Sequence, residues 1–184
     1  MDTAINWGYL SQALSAYQEL GYRYVELPWM IPKRYKMITC LHESWVMDVE
    51  GYGSLVGSAE QAFLYMNLTG QIPDGKYVGL TPCFRTDEVD ASHSTHFMKV
   101  ELYESGPHVT LTEAADMMSE AMLMMESLAG RQLVIEHTTQ GADLMMNGVE
   151  VGSYGVREHE GHKWAYGTGL AEPRFSYAIG LQQG

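Results

Sequence analysis

The dipeptide Asn147-Gly148, set between two β-prone runs at 143–146 and 149–153, narrows the possible folds more than any other feature. Asn and Gly both tolerate positive φ. They suit a two-residue turn whose twist matches its flanking strands, so the two runs pair antiparallel. A second pair is read upstream, where 77–85 and 95–104 flank a short polar loop. Runs at 22–27, 132–138 and 164–168 add further strands. Helical spacing covers 6–20, with Leu10, Ala13, Leu14 and Tyr17 on one side and Gly21 as the stop. A second helix runs from a Thr112 cap through Ala129 to Gly130, and a last one covers 174–181. The segment 58–68 fits a helix or a partly extended stretch. The methionines at 117, 118, 122, 124 and 125 read as soft core packing. Helices interspersed among antiparallel strands predict a single α+β domain over 1–184, an antiparallel β-sheet flanked by helices.

Composition limits the function. The chain carries 11 Lys and Arg against 23 Asp and Glu, a net charge of −12. A protein that grips nucleic acid unaided shows a basic face. The densest cluster here, Lys33-Arg34-Tyr35-Lys36, reads as a solvated turn. No apolar run approaches the 18 or so residues that cross a bilayer, and no export signal is visible, so a cytoplasmic location with no membrane partner is expected. Cys40 and Cys83 are then expected as reduced thiols. His108, His137, His159 and His162 form no ligand pattern. The stretch Arg157-Glu-His-Glu-Gly-His162 is read as a loop and not as a metal site.

Two arginines carry the chemistry. Arg85 lies in Thr81-Pro-Cys-Phe-Arg-Thr-Asp-Glu88, followed by a loop and His93-Ser-Thr-His-Phe97-Met-Lys-Val-Glu101. Arg174 ends Gly167-Thr-Gly-Leu-Ala-Glu-Pro-Arg174. Planar guanidiniums match phosphate oxygens and never deprotonate, so a pair can grip a triphosphate from two sides. Gly167 and Gly169 are expected to let a flat adenine approach the backbone.

These segments resemble the motifs of class II aminoacyl-tRNA synthetases, in the family order. Helix 10–20 followed by Gly21-Tyr-Arg-Tyr-Val-Glu-Leu-Pro28 is similar to motif 1. Phe84-Arg85-Thr86-Asp87, the loop, and His93 to Phe97 resemble motif 2. Gly167 to Arg174 resembles motif 3, with Ala171 at its third glycine. Within the class, Phe97-Met-Lys-Val-Glu-Leu102, Gly167-Thr-Gly-Leu-Ala171, Ser58-Ala-Glu60 and Glu150-Val-Gly-Ser153 are most similar to seryl-tRNA synthetases.

The resemblance implies roles. Arg85 and Arg174 are the catalytic pair, Arg85 on the α-phosphate and the amino-acid carboxylate, Arg174 on the γ-phosphate. Asp87, His93, Phe97, Gly167 and Gly169 complete the ATP site. Ser58, Glu60, Glu101 and Ser153, with Arg85, receive the amino acid. Glu101, Glu150 and Ser153 hold Mg2+. It further implies a homodimer through the motif 1 helix and strand. The implied acyl acceptor is a tRNA or another molecule, such as a carrier protein or small amine. The helical tRNA-binding arm of seryl enzymes has no counterpart here, so weak tRNA affinity is expected. A non-catalytic binding or regulatory module, and a piece of a larger synthetase, are the other readings.

Overall fold

A computed structural model describes residues 4–40, 42–86 and 95–181. Helix α1 (Trp7–Glu19) starts at Asn6, whose side chain accepts from the Tyr9 amide, and buries Leu10, Ala13 and Tyr17. The run expected at 22–27 gives only strand β1 (Arg23–Tyr24). Val25 still donates to Val78 O, but Pro28 has no N–H to continue the ladder, and the chain leaves the sheet edge. It then forms strand β2 (Met30–Ile31), helix α2 (Lys33–Lys36), a 3-10 turn (Glu43–Trp45), and strands β3 (Asp48–Val49) and β4 (Gly53–Leu55). The small sheet ordered β2-β4-β3 is too short to leave a periodic signal, and the sequence reading missed it. Segment 58–68 resolves as helix α3 (Ala59–Leu68).

Strands β5 (Lys76–Phe84) and β6 (His96–Ser105) pair antiparallel along their whole length. Helix α4 (Leu111–Ala129) follows, then β7 (Val134–Thr138), β8 (Gly141–Met146), β9 (Val149–His159), β10 (His162–Glu172) and helix α5 (Arg174–Gly180). The α4 cap is Thr110, two residues before the expected Thr112. Its hydroxyl accepts from the Thr112 amide while Glu113 reaches back to the Thr110 amide, a capping box. The turn at Asn147-Gly148 joins β8 to β9, with φ of 51° and 76°. A second turn, Glu160-Gly161 (φ 49° and 83°), joins β9 to β10, so the expected loop at 157–162 is the end of a hairpin.

The large sheet runs β1-β5-β6-β10-β9-β8-β7, antiparallel except for the β1–β5 pair. This is an α+β fold with an antiparallel-dominated sheet flanked by helices. One face packs against α1, α4 and α5, with Val100, Leu102, Met117, Leu144 and Leu170 in that core. The other packs against α3 through Phe63, Tyr77, Tyr103 and Trp164. Two irregularities set the site. Register shifts between Leu144 and Met145 against β9, and between Thr168 and Leu170 against β6. At the second, the ladder leaves carbonyls to satisfy, and buried tyrosine hydroxyls serve them. Tyr17 donates to Gly169 O (2.9 Å) and Tyr154 to Thr168 O (2.6 Å).

Glu172, at the end of β10, is fully buried. Ser176 donates to its Oε1 (2.9 Å), while Oε2 has no hydrogen-bond partner among the described residues. Burial pushes its carboxyl above the ordinary value. Below the unfolded-state value the group is neutral in both states. As pH rises through the elevated folded value the unfolded chain ionises more readily, and stability is lost. Melting curves of Glu172→Gln and the parent should therefore diverge in the variant's favour as pH rises above about 4. A Tm difference that does not change with pH would contradict this.

Candidate active site

Side chains from β6, β8, β9 and β10, with α2, α3 and the segment after β5, enclose a cavity of about 480 Å3. That is the size range of small-molecule sites. Arg85, just beyond β5, is fixed at three points. Its amide donates to Thr95 O (3.0 Å), its Nε donates to Gly57 O (2.9 Å), and its guanidinium sits 5.2 Å from the Phe97 ring centroid. Nη1 and Nη2 make no hydrogen bond among the described residues, and Arg85 lines the cavity. Arg174, first residue of α5, lines the same cavity with its Nη1 3.4 Å from Glu150 Oε1. The two arginines singled out from the sequence thus share one cavity. Asp87 and His93 lie outside the described residues.

Gly167 and Gly169 differ from expectation in what their missing side chains serve. A Cβ at Gly167 would lie 2.6 Å from Met117 Sδ, and one at Gly169 would lie 2.8 Å from Val100 Cγ1 and 2.9 Å from Tyr17 Cε2. Neither glycine lines the cavity, and a side chain at either would collide with core residues of α1, α4, β6 and β9. Thr168, between them, faces the cavity.

Glu150 and Ser153 are three residues apart, and a regular strand would turn them to opposite faces. The β8–β9 bulge changes the parity. Met145 pairs Glu150 and Asp143 pairs Ser153, so Glu150, Ser153 and Asp143 all line the cavity. Burial raises the Asp143 carboxyl and the Glu150 charge adds to this, while a hydrogen bond from Ser153 opposes it. A divalent cation there would relieve that strain. Among the described residues no group of three or more His, Cys, Asp or Glu forms a metal cage. Mg2+ is commonly held by one or two carboxylates with substrate phosphates and waters, and Glu150, Asp143 and the Ser153 hydroxyl fit that need.

The floor of the cavity holds two buried ion pairs. Glu101, expected on both the amino acid and the metal, gives Oε1 to Lys99 Nζ (2.9 Å) and Oε2 to the Ser58 hydroxyl (2.7 Å). Glu60, expected on the substrate ammonium, accepts from Arg157 Nη1 on both oxygens and from Trp164 Nε1 (2.7 Å). The Arg157 guanidinium lies 4.1 Å from the Tyr166 centroid. Arg157, Tyr166, Lys99 and Asp143 were not singled out from the sequence. Alternation from Ser153 through Gly155 to Arg157 would have found the arginine, had β9 been read past 153. Cys83 is buried, its thiol pushed up to about 11 by desolvation, and Cys40 is half-buried in the cavity wall. Both are free.

Residues 58–184 match the family described as tRNA synthetases class II core domain (F). The chain belongs to this family. Two structures of a pyrrolysyl-tRNA synthetase from Desulfitobacterium hafniense share its fold, with TM-scores of 0.73 and 0.71. Each is 19% identical over 92% of this chain and 67% of theirs. A seryl-tRNA synthetase from Pyrococcus horikoshii, solved with ATP, aligns with TM-score 0.65 and 20% identity over 92% of this chain and 49% of its own. No curated protein sequence matches. Among the described residues no helix is long and apolar enough to cross a membrane.

Proposed function

We propose that residues 1–184 act as one catalytic domain that activates an amino acid with ATP, forming an aminoacyl-adenylate. The observation that carries this is Arg85, held through Nε and its ring contact, with both Nη groups unbonded among the described residues, in the cavity that Arg174 also lines. An oxygen of the amino-acid carboxylate attacks the α-phosphorus in line. The bond from phosphorus to the bridging oxygen breaks, and pyrophosphate leaves with its electrons. No side chain acts as nucleophile. Positioning and charge neutralisation carry the rate. Arg85 holds the carboxylate and the α-phosphate, and Arg174 the γ-phosphate. Phe97, with one face toward Arg85, offers the rest of its ring to adenine over the Gly167–Gly169 backbone. Mg2+, held by Glu150 and Ser153 with Glu101 or Asp143, would supply positive charge to the phosphates.

The substrate ammonium meets Ser58, Glu60 and Glu101, exchanging with Lys99 or Arg157 as their partner. Serine is the reference substrate, on the motif resemblance. The acyl group then passes to a tRNA or to another acceptor. Exposed Tyr24 and Trp29 beside Pro28 suit the motif 1 face of a homodimer in the cytoplasm. A rival reading, a binding module without turnover, draws on the existing pairing of Glu60 and Glu101. Amino-acid-dependent ATP–pyrophosphate exchange across all twenty amino acids separates the two. Exchange with one amino acid, lost in Arg174→Ala, supports activation. ATP binding with no exchange favours the module.

A further inference from the structure

The Glu60–Arg157 pair is lopsided. Both of its hydrogen bonds leave from Nη1, so Nη2 and Nε make none among the described residues. The Arg157 side chain is 31% exposed, against 5% for Glu60, and Arg157 lines the cavity. Tyr166 lies under the guanidinium and fixes its plane. A guanidinium with one flank paired and the other open is arranged for a second oxyanion.

The surrounding charge agrees. Among the described residues the cavity is lined by Lys36, Arg85, Lys99, Arg157 and Arg174 against Glu60, Glu101, Asp143 and Glu150. One positive charge is left over. Lys36 is 1% exposed and donates only to Leu55 O, with no carboxylate bonded to it. The α-carboxylate of a substrate is already assigned to Arg85. The anion must then come from elsewhere on the substrate.

We propose that Arg157 determines specificity by binding an anionic group, carboxylate or phosphate, on the side chain of the amino acid. This rests on the activation reading above. The seryl-like motifs do not oppose it, because Phe97 and Gly167–Ala171 are assigned to the nucleotide, Ser58 and Glu60 to the ammonium group, and Glu150 and Ser153 to Mg2+.

The test runs ATP–pyrophosphate exchange on the full chain with serine, aspartate, glutamate and O-phosphoserine. It compares the parent with Arg157→Gln and Arg157→Lys, the latter keeping the charge on Glu60 while losing the planar fork. Melting shifts with the same amino acids are read alongside. An anionic amino acid should outperform serine in kcat/KM. That preference should fall about ten- to a hundredfold in both variants, chiefly through KM. A preference for serine or any uncharged amino acid overturns the subsite and leaves activation standing. No exchange at all, with an anion-dependent melting shift that both variants lose, overturns activation and leaves the subsite standing. Neither exchange nor a shift overturns both. If Arg157→Gln fails to fold, Arg157→Lys alone decides.

Discussion

Arg85→Ala should lower amino-acid-dependent ATP–pyrophosphate exchange by about a hundred- to a thousandfold, the usual cost of one preorganised donor to a developing oxyanion. The effect belongs to the reaction and not to the fold. What the native state loses is one hydrogen bond to Gly57 O and one ring contact with Phe97. A single bond of this kind contributes about 1 kcal/mol, which for a chain of this size moves Tm by roughly 2–4 °C. Arg85→Lys should not rescue exchange. An ammonium cannot hold Gly57 O and reach a phosphate and a carboxylate together, as the guanidinium fork does. Exchange that survives Arg85→Ala would remove the residue from the reaction and withdraw the main support for activation.

Glu60→Ala should produce the largest loss of stability of any single replacement in the cavity. The carboxylate is 4% exposed and accepts from both Arg157 and Trp164, and Trp164 is itself buried. Removing it leaves a half-buried guanidinium and a buried indole N–H without their acceptor. Breaking one side of a buried ion pair costs about 3–5 kcal/mol. Denaturant unfolding of the variant against the parent measures it. Trp164→Phe in the Glu60→Ala background should then cost less than it does alone, because the two share one interaction. A loss below about 1 kcal/mol would show that the pair is idle, as surface pairs are.

The sheet and its helices were legible in the sequence because they rest on local signals. The Asn147-Gly148 turn, the alternation in β5 and β6, and the Gly130 stop each act within a few residues. The site was legible only in part. Arg85, Arg174, Phe97 and Glu150 came from ordered motifs, and they line one cavity. Asp143 could not be read. A plain hairpin about Asn147-Gly148 sets it opposite Gly152, and only the bulge at Val151 moves it opposite Ser153. Nor could the engagement of Glu60, since its partners lie 97 and 104 residues away. Gly167 and Gly169 teach a different lesson. They were read as openings for adenine, while the atoms nearest a Cβ there belong to Met117, Tyr154, Val100 and Tyr17.

The place of β10 has a consequence for how the protein is made. It is the last strand in the sequence yet the middle strand of the seven, and it bonds both β6 and β9. Until residues 162–172 have been synthesised, the nascent chain can hold β1–β5–β6 and β7–β8–β9 only as separate halves with exposed inner edges. Tyr17 waits for Gly169, 152 residues later. Assembly of the whole sheet is thus held back until β10 has been made. The unpaired edges of β6 and β9 are the surfaces that a holding chaperone would have to cover in the interval.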